Sequence, residues 1–350
     1  MPQATRAPCA PLDVPSRPAH SVAVTVPARL HFGLLDLGGS LGRRFGSFGL
    51  TLEGLSTRLH ARRVEEQAAS FAAEGPDAPR VERYARRMAQ AIGFEERVAF
   101  RVERAIPAHS GLGSGTQLAL ATATALCRLA GHDLPAREMA RLLGRGARSG
   151  VGLGAFEQGG VLLDGGRGPD DVPPPIVARH PLPDAWRLLL ILDRDGGGLH
   201  GPDERAAFEA LPPFPDERAG HLCRLVLLKA LPALVEREVG RFGAAVTELQ
   251  QVVGDHFAPA QGGRYASRRV AEVLNWLESE GVAGFGQSSW GPTGFAILGS
   301  AAEAERLAAA ARERWDGASG LSFEICRGRN TGARVEAAEA LTELPGRRTG

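Results

Sequence analysis

Lysine is almost absent from this chain. Lys229 is the single lysine among 41 basic residues, so arginine supplies nearly all of the positive charge. Forty acidic residues leave a formal net charge of +1. A protein without a general basic field lacks the electrostatic basis for binding nucleic acid, so we expect no nucleic-acid partner. Because arginine is so frequent, we interpret an individual arginine as a solvated surface residue unless it lies in a functional motif.

Cysteine and long apolar runs are also scarce. The four cysteines, Cys9, Cys127, Cys223 and Cys326, are far apart. Their spacing excludes the paired pattern of a zinc site or a disulfide framework and indicates a reducing, cytoplasmic environment. No run approaches the roughly eighteen apolar residues of a membrane span, so we expect no membrane partner. Residues 1–20 are rich in proline and have no continuous apolar stretch, which predicts a flexible tail without a signal peptide.

The most informative stretch runs from Ile106 to Gln117 and reads Ile-Pro-Ala-His-Ser-Gly-Leu-Gly-Ser-Gly-Thr-Gln. Alternating Val98, Phe100 and Val102 predict a strand before it, and the helical period of the residues after it predicts a helix. The N–H groups of such a loop and of the first helical turn attract an anion, because they lack partners at the positive end of the helix dipole. The sequence therefore predicts a phosphate site here, with an ordinary turn as the alternative.

A strand with alternating valines over residues 22–26 leads into the segment Pro27–Gly33. Arg29 and His31 lie two residues apart in that segment. Side chains two apart on a strand share a face, so we expect both to point to one place.

Three other segments are rich in glycine. The predicted loop Gly38–Gly49 carries the adjacent Arg43 and Arg44. The run Ser149–Gly160 has glycine at a density that indicates close approach of the backbone to a ligand or to another segment. The segment Gly284–Ile297 is predicted to be a loop followed by a strand.

Periodicity assigns the remaining elements. The predicted helices are 78–92, 134–143 with Asp133 as N-cap, 235–253, 270–277 with Ser267 as the capping residue, and 301–315. A strand pair is predicted over 50–63, and further single strands over 161–163, 186–192 and 321–325. The proline-rich run Pro169–Pro183 is taken as a domain boundary, which gives domains of residues 21–183 and 184–350.

Three of these segments, Pro27–Gly33, Pro107–Thr116 and Gly284–Ala296, resemble in order the signature motifs of the GHMP kinase superfamily. That superfamily includes galactokinase and the homoserine, mevalonate and phosphomevalonate kinases. The resemblance implies an α+β, GHMP kinase-like fold of two domains with the site between them. The N-terminal domain would contain a left-handed β-α-β unit, and the C-terminal domain would be ferredoxin-like.

One segment departs from the kinase pattern. Many of these kinases carry a catalytic aspartate in a Ser-Gly-Ile-Asp type of segment, where it orients or deprotonates the substrate hydroxyl. Residues 149–154 read Ser-Gly-Val-Gly-Leu-Gly, without the aspartate. Together with residues 28–33, 42–47 and 288–293, this segment resembles the β-ribofuranosylaminobenzene 5′-phosphate synthase family, including the related C-glycoside synthases of C-nucleoside antibiotic pathways (formycin, pyrazofurin).

That resemblance implies two small-molecule partners, phosphoribosyl pyrophosphate (PRPP) and an aminated aromatic carboxylate. The acceptor would be p-aminobenzoate or 4-aminopyrazole-3,5-dicarboxylate, and the reaction would form a carbon–carbon bond with release of pyrophosphate and CO₂. Mg²⁺ bound through the pyrophosphate is the implied cofactor, and a homodimer is a possible assembly. An ATP-dependent small-molecule kinase and a catalytically inactive binding subunit are the alternatives.

On this interpretation, each candidate site residue has a role. The catalytic candidates are Arg29, His31 and Glu157; the PRPP-binding candidates are Ser110, Gly111, Leu112, Gly113, Ser114, Gly115, Thr116, Arg43 and Arg44; the acceptor-binding candidates are Ser47, His200, Ser288, Ser289 and Trp290. No metal ligand is assigned. Structural alternatives stay open: Arg29 and His31 as a buried pair, Glu157 as a helix cap or Mg²⁺ ligand, and Trp290 as a core residue between the domains. Arg43 and Arg44 have the alternative of a solvated hairpin tip.

Overall fold

The computed structural model describes residues 19–65, 70–170, 172–196, 207, 210–315 and 320–338. The strands are β1 Ser21–Asp36, β2 Phe45–Arg63, β3 Ala72–Glu74, β4 Val98–Arg104, β5 Val161–Asp164, β6 Ile176–His180, β7 Arg187–Asp193, β8 Gly284–Gln287, β9 Gly294–Leu298, β10 Leu321–Gly328 and β11 Arg334–Ala338. The helices are α1 Ala78–Ile92, α2 Ser114–Ala130, α3 Ala136–Leu142, α4 Val151–Glu157, α5 Asp216–Leu225, α6 Leu231–Val235, α7 Val239–Gln261, α8 Arg268–Ser279 and α9 Ala301–Arg314. A π-helical segment, Val226–Ala230, joins α5 to α6.

The long strand β2 organises the N-terminal half. It pairs with β1 on one edge and, on its other edge, with β5, β10 and β4 at successive positions along its length. Both β4 and β5 run antiparallel to β2 and hence parallel to each other. The helix α2 lies in the connection between them.

The C-terminal half contains an antiparallel sheet in the order β10-β7-β9-β8. Numbered within this half, the strands stand in the order 4-1-3-2, and helices separate β7 from β8 and β9 from β10. This is the ferredoxin-like arrangement that was predicted, and the α+β fold class is confirmed.

Backbone pairing joins the two halves at two places. Strand β10 pairs with the middle of β2, and β11 returns to pair with β1 after the C-terminal sheet is complete. The predicted boundary at residues 183 and 184 falls just before β7 and stays a prediction.

Aromatic side chains from both halves share one core. Phe32 of β1 lies 5.4 Å from Phe48 of β2 and 5.2 Å from Phe295 of β9, measured between ring centroids. Phe242 of α7 lies 6.1 Å from Phe48. All four rings are completely buried. Burial of each such side chain stabilises the fold by roughly 1.5–3 kcal/mol, so this cluster holds the halves together.

Most predicted elements are present with shifted ends. The helix predicted over 78–92 has those bounds, and Ser267 caps α8 by accepting a hydrogen bond from the Val270 N–H. The helix predicted from residue 134 begins at Ala136, with Pro135 rather than Asp133 at the N-cap. A single helix from Val235 was wrong, because α6 ends there and α7 starts at Val239.

Two glycine-rich segments turn out to be regular structure. Strand β2 begins at Phe45, so the second half of the predicted loop Gly38–Gly49 is strand. The strand pair predicted over 50–63 was wrong, because β2 continues as one strand to Arg63. The run Ser149–Gly160 contains the helix α4, whose glycines permit close approach to other segments. A Cβ atom on Gly152 would lie 3.3 Å from Thr116 Cγ2, and one on Gly154 would lie 2.9 Å from Ile176 Cδ1.

Candidate active site

The glycine loop ends at the N-terminus of α2, as predicted. Gly111 and Gly113 have φ angles of +79° and +84°, which favour glycine because larger residues rarely adopt this left-handed region. The Gln117 N–H donates to the Gly113 carbonyl at 3.2 Å, so the N–H groups of residues 114–116 precede the first bond of the helix. Such groups have no partner within the helix and lie at its positive end. The geometry suits an anion.

Arg29 of β1 lies against this loop. Its backbone N–H donates to the Leu112 carbonyl at 3.1 Å, and its Nη1 donates to the Gly111 carbonyl. A Cβ atom on Gly113 would lie 3.1 Å from Arg29 Cγ and 3.3 Å from Cζ. The glycine at 113 therefore lets the arginine side chain pack directly against the loop backbone.

Ser288 links all three motifs. Its hydroxyl accepts a hydrogen bond from the His31 N–H at 3.0 Å and donates to the Gly111 carbonyl at 2.8 Å. The next residue, Ser289, donates its N–H to the His31 carbonyl at 3.1 Å. Ser288 is completely buried. Strand β1, the glycine loop and the turn after β8 thus converge on one serine hydroxyl.

His31 is buried, with 6% of its surface exposed. Burial, reinforced by the neighbouring charge of Arg29, lowers the pKa of His31 to about 3. The imidazole is therefore neutral near pH 7. Its Nδ1 atom is buried without a hydrogen-bond partner. Buried polar atoms are nearly always satisfied in native proteins, so this atom suits a polar group of a ligand.

We expect His31 to make the free energy of unfolding depend on pH. Below about pH 6.5 the unfolded chain binds a proton that folded His31 does not bind until pH about 3. The free energy of unfolding should therefore decrease as the pH is lowered through that window, by about 1.4 kcal/mol per pH unit. Above pH 6.5 the effect should vanish. In urea unfolding, lowering the pH from 6.5 to 5 should reduce the free energy of unfolding of the wild type by about 2 kcal/mol more than that of His31→Asn. Parallel stability curves for the two proteins would show that His31 does not titrate this way.

A small cavity lies behind His31. Its volume is about 40 Å³, and its lining includes Gln250, Gln287, Ser289 and Trp290. The Trp290 ring lies 4.4 Å from the Phe257 ring at an interplanar angle of 33°. A cavity that holds benzene is on the order of 150 Å³, so this one is of water size. In this structure, Trp290 is a packed wall of the cavity.

The segment that departs from the kinase pattern packs on the first turn of α2. Gln117 Nε2 donates to the Gly152 carbonyl at 2.7 Å. Residues 151–154 carry no ionisable side chain, so this stretch brings no carboxylate to the loop.

Sequence inspection missed Asp164, a buried carboxylate at the end of β5. It accepts hydrogen bonds from the N–H groups of Ser47 at 3.0 Å, Gly150 at 2.7 Å and Gly166 at 2.9 Å. Burial raises the pKa of Asp164, and those backbone bonds oppose the rise. Asp164 ties the start of α4 to β2, and the only signal in the sequence was the pair of glycines after it.

Several predicted site residues contact segments other than the glycine loop. Arg43 donates to the carbonyls of Gly165 and Gly166, both at 2.7 Å, and Arg44 Nε donates to the Leu37 carbonyl at 2.7 Å. Arg43 therefore lies against the turn beside Asp164, and Arg44 lies against the residue that follows β1. Ser47 is completely buried on the same side.

Glu157 lies near the opposite end of α2, in a cavity that Cys127 and Arg128 also line. At a rise of about 1.5 Å per residue, that end is about 20 Å from Ser114. Burial raises the pKa of Glu157, with Arg137 opposing. Its predicted catalytic role stays a prediction that the geometry does not favour.

The Ser110 hydroxyl donates to the Pro107 carbonyl at 2.7 Å and so stabilises the loop from within. His200 lies outside the described residues.

Two arginines that the sequence did not single out lie beside the loop. A Cβ atom on Gly115 would lie 2.8 Å from Arg80 Nη2 and 3.7 Å from Arg145 Cζ. Both guanidinium groups therefore approach the first turn of α2.

A hollow of about 1090 Å³ lies elsewhere, on the face of the sheet formed by β1, β2, β3, β4 and β11. Several of its charged residues are paired: Glu103 lies 2.9 Å from Arg58 and 3.0 Å from His60. None of the three motifs lines it, so we place the candidate site at the motifs.

Neither a metal cluster nor a membrane helix was found in the parts of the chain that the structure describes. Within the described ranges, no group of three or more His, Cys, Asp or Glu residues is arranged to hold a metal ion. Of the helices described there, none is long and apolar enough to cross a bilayer.

Comparison with known families and structures agrees with this geometry. The family described as GHMP kinases N terminal domain matches residues 80–176, and the family GHMP kinases C terminal matches residues 230–317. Two solved structures share the fold at low identity. A homoserine kinase from Cytophaga hutchinsonii has a TM-score of 0.60 and 15% identity, covering 91% of this chain and 98% of the other. A mevalonate diphosphate decarboxylase from Staphylococcus aureus has a TM-score of 0.65 and 14% identity, with the same coverage.

Relatives of higher identity are synthases. The β-ribofuranosylphenol 5′-phosphate synthase of Methanothermobacter thermautotrophicus is 31% identical over 292 residues, covering 78% of this chain and 88% of the relative. The enzyme of the same name from Methanocaldococcus jannaschii is 33% identical over 300 residues, with the same coverage. The name of these relatives specifies a product with a hydroxyl group on the ring. The family that the sequence motifs resemble is named for a product with an amino group on the ring. The chain belongs to the GHMP kinase superfamily and, within it, to the family of the β-ribofuranosylphenol 5′-phosphate synthases.

Proposed function

We propose that this protein joins PRPP to an aromatic carboxylate through a carbon–carbon bond and releases pyrophosphate and CO₂. The observation that carries the proposal is the convergence of three motifs at the glycine loop, with Arg29 and neutral His31 beside it. The names of the relatives support a ribofuranosyl 5′-phosphate product carried on a ring. Residues 151–154, which bring no carboxylate to the loop, argue against phosphoryl transfer to a hydroxyl.

The reaction balances without an oxidant or reductant. The bond from the anomeric carbon of PRPP to the pyrophosphate oxygen breaks, and its electron pair leaves with the pyrophosphate. The ring carbon that bears the carboxylate attacks the resulting cationic centre, assisted by an electron-donating amino or hydroxyl group on the ring. The carbon–carboxylate bond then breaks, and its electron pair restores the aromatic ring.

The chain's own residues supply binding and electrostatic stabilisation. The N–H groups of residues 114–116 and the Arg29 guanidinium would hold the pyrophosphate as negative charge develops on it. His31, neutral near pH 7, would hydrogen-bond through Nδ1 to a polar group of the sugar or the acceptor. Arg43 and Arg44 would neutralise the 5′-phosphate or the acceptor carboxylate.

Mg²⁺ is proposed as the counter-ion of the pyrophosphate. Magnesium usually keeps several waters and is held largely by substrate phosphates, with one or two protein oxygens. The hydroxyls of Ser114 and Thr116, on the first turn of α2, are protein oxygens at this place. This donor set fits an ion that arrives with the substrate, and such an ion would supply charge neutralisation of the leaving group.

The acceptor class follows from the same chemistry. The ring must carry a carboxylate at the attacked carbon and a donor group that activates that carbon. The para isomer of hydroxybenzoate, p-aminobenzoate and 4-aminopyrazole-3,5-dicarboxylate all meet this requirement. We propose an acceptor of this class.

The test is the coupling of the two released products. With Mg²⁺, PRPP and each of the three acceptors labelled in the carboxyl group, we expect CO₂ and pyrophosphate in equal amounts for at least one acceptor. Each should depend on the other substrate, because carbon–carbon bond formation precedes loss of CO₂. CO₂ released without PRPP, or pyrophosphate released without an aryl C-riboside, would refute the mechanism. ADP formation from ATP and a small alcohol would establish the kinase instead.

A further inference from the structure

Arg80 and Arg145 converge on the end of α2 that carries the free N–H groups. Their nearest guanidinium atoms lie 2.8 and 3.7 Å from the position of a Cβ atom on Gly115. In a helix the Cα–Cβ bond tilts toward the N-terminus, so this point lies on the loop side of Gly115. Because residue 115 has no side chain, both groups reach the first turn of the helix.

Packed neighbours hold both arginines. Arg80 Nη1 lies 3.2 Å from each carboxylate oxygen of Asp77, and its side chain is 18% exposed. Arg145 Nη2 donates to the Tyr84 hydroxyl, and its guanidinium carbon lies 5.3 Å from the centroid of that ring. Tyr84 is buried. These contacts fix the two cations in place, unlike freely solvated surface arginines.

Positive charge is concentrated at this end of α2. Two guanidinium groups and the positive end of α2 meet, and Asp77 is the carboxylate that contacts them among the described residues. On the other side of the loop, a Cβ atom on Gly113 would lie 3.3 Å from Arg29 Cζ. Like charges held together cost free energy that a bound anion would recover. Three guanidinium groups therefore surround residues 113–115, which suits an anion with more than one phosphate.

We propose that Arg80 and Arg145 bind the pyrophosphate group of PRPP and stabilise it as it leaves. This inference rests on the proposed function. When the bond to the anomeric carbon breaks, the electron pair stays on pyrophosphate, and the two guanidinium groups neutralise that charge at a fixed position. The 5′-phosphate binds elsewhere.

Product inhibition separates the two ends of PRPP. The variants are Arg80→Gln and Arg145→Gln. The control is Arg83→Gln, on the same helix as Arg80, because Arg83 is exposed and lies 5.8 Å from the Tyr84 ring centroid. In the presence of Mg²⁺, we expect the inhibition constant of pyrophosphate to rise roughly tenfold or more in both variants, with kcat lowered by roughly tenfold or more. The inhibition constant of ribose 5-phosphate should stay within about twofold, as should all constants of the control.

Three results would overturn the assignment. Unchanged pyrophosphate inhibition in a folded Arg80→Gln variant would remove these arginines from the site, while an active wild type would leave the proposed function standing. An equal loss of ribose 5-phosphate inhibition would contradict binding at the pyrophosphate end. A wild type that neither binds nor consumes PRPP would refute the proposed function and this inference with it. Since Arg145 contacts a buried tyrosine, Arg80→Gln decides the matter if Arg145→Gln fails to fold.

Discussion

Replacing Arg29 with methionine should lower kcat/KM for PRPP by roughly 10²- to 10³-fold while the protein stays folded. Arg29 donates to the Gly111 carbonyl and packs on Gly113, so its charge lies where the leaving group would bind. Methionine keeps much of the apolar stem and removes the charged donor. The measurement is steady-state kinetics together with the PRPP dissociation constant from calorimetry.

Two further variants make the result specific. Arg29→Lys keeps the charge without the planar donor fork, so partial recovery would assign part of the effect to charge alone. Arg101→Met removes an arginine whose side chain is 70% exposed and should change kcat/KM by less than about twofold. If Arg29→Met behaves like Arg101→Met, Arg29 is only a structural support of the loop.

The Gly111→Ala substitution should destabilise the protein and remove most of its activity. Gly111 has a φ of +79°, and a Cβ atom there would overlap the Ser288 carbonyl oxygen. Left-handed backbone costs a residue with a Cβ atom about 1–2 kcal/mol, and the overlap adds to that cost. We expect a loss of about 3 kcal/mol or more in the free energy of unfolding, and at least tenfold in kcat.

Gly42 provides the matched control for this substitution. Its φ is +85°, but a Cβ atom there would meet nothing within 4 Å. Gly42→Ala should therefore cost about 1–2 kcal/mol from backbone conformation alone. Urea unfolding of both variants measures the difference. Equal losses would mean that the approach of Gly111 to Ser288 carries no special constraint.

Local patterns predicted the elements that carry the site. The strand before residue 105 and the helix after Gly113 follow from periodicity and glycine placement, which depend on neighbouring residues only. The junction at Ser288 is different, because its hydroxyl bonds to His31 and Gly111. These partners lie 257 and 177 positions earlier in the chain. The sequence selected Ser288 by resemblance, and no spacing rule predicts those two bonds.

Arginine composition explains why Arg80 and Arg145 were missed. Arg80, Arg83, Arg86 and Arg87 all stand on α1 and look alike in sequence. Which of them faces the loop depends on how α1 packs against α2, and this packing is tertiary structure that the local sequence does not determine. Glu157 illustrates the converse: the sequence places it within the glycine-rich run Ser149–Gly160, and the helix α4 carries it toward the opposite end of α2.

The buried phenylalanine cluster changes how the two halves unfold. Phe32 and Phe48 come from one half, Phe242 and Phe295 from the other, and each ring loses its contacts across the boundary if either half opens. Opening one half alone would expose aromatic surface on both, at a cost of several kcal/mol. We therefore expect the two segments that sequence families treat as separate domains to unfold as one cooperative unit, so that a destabilising change in either half lowers the stability of the whole protein.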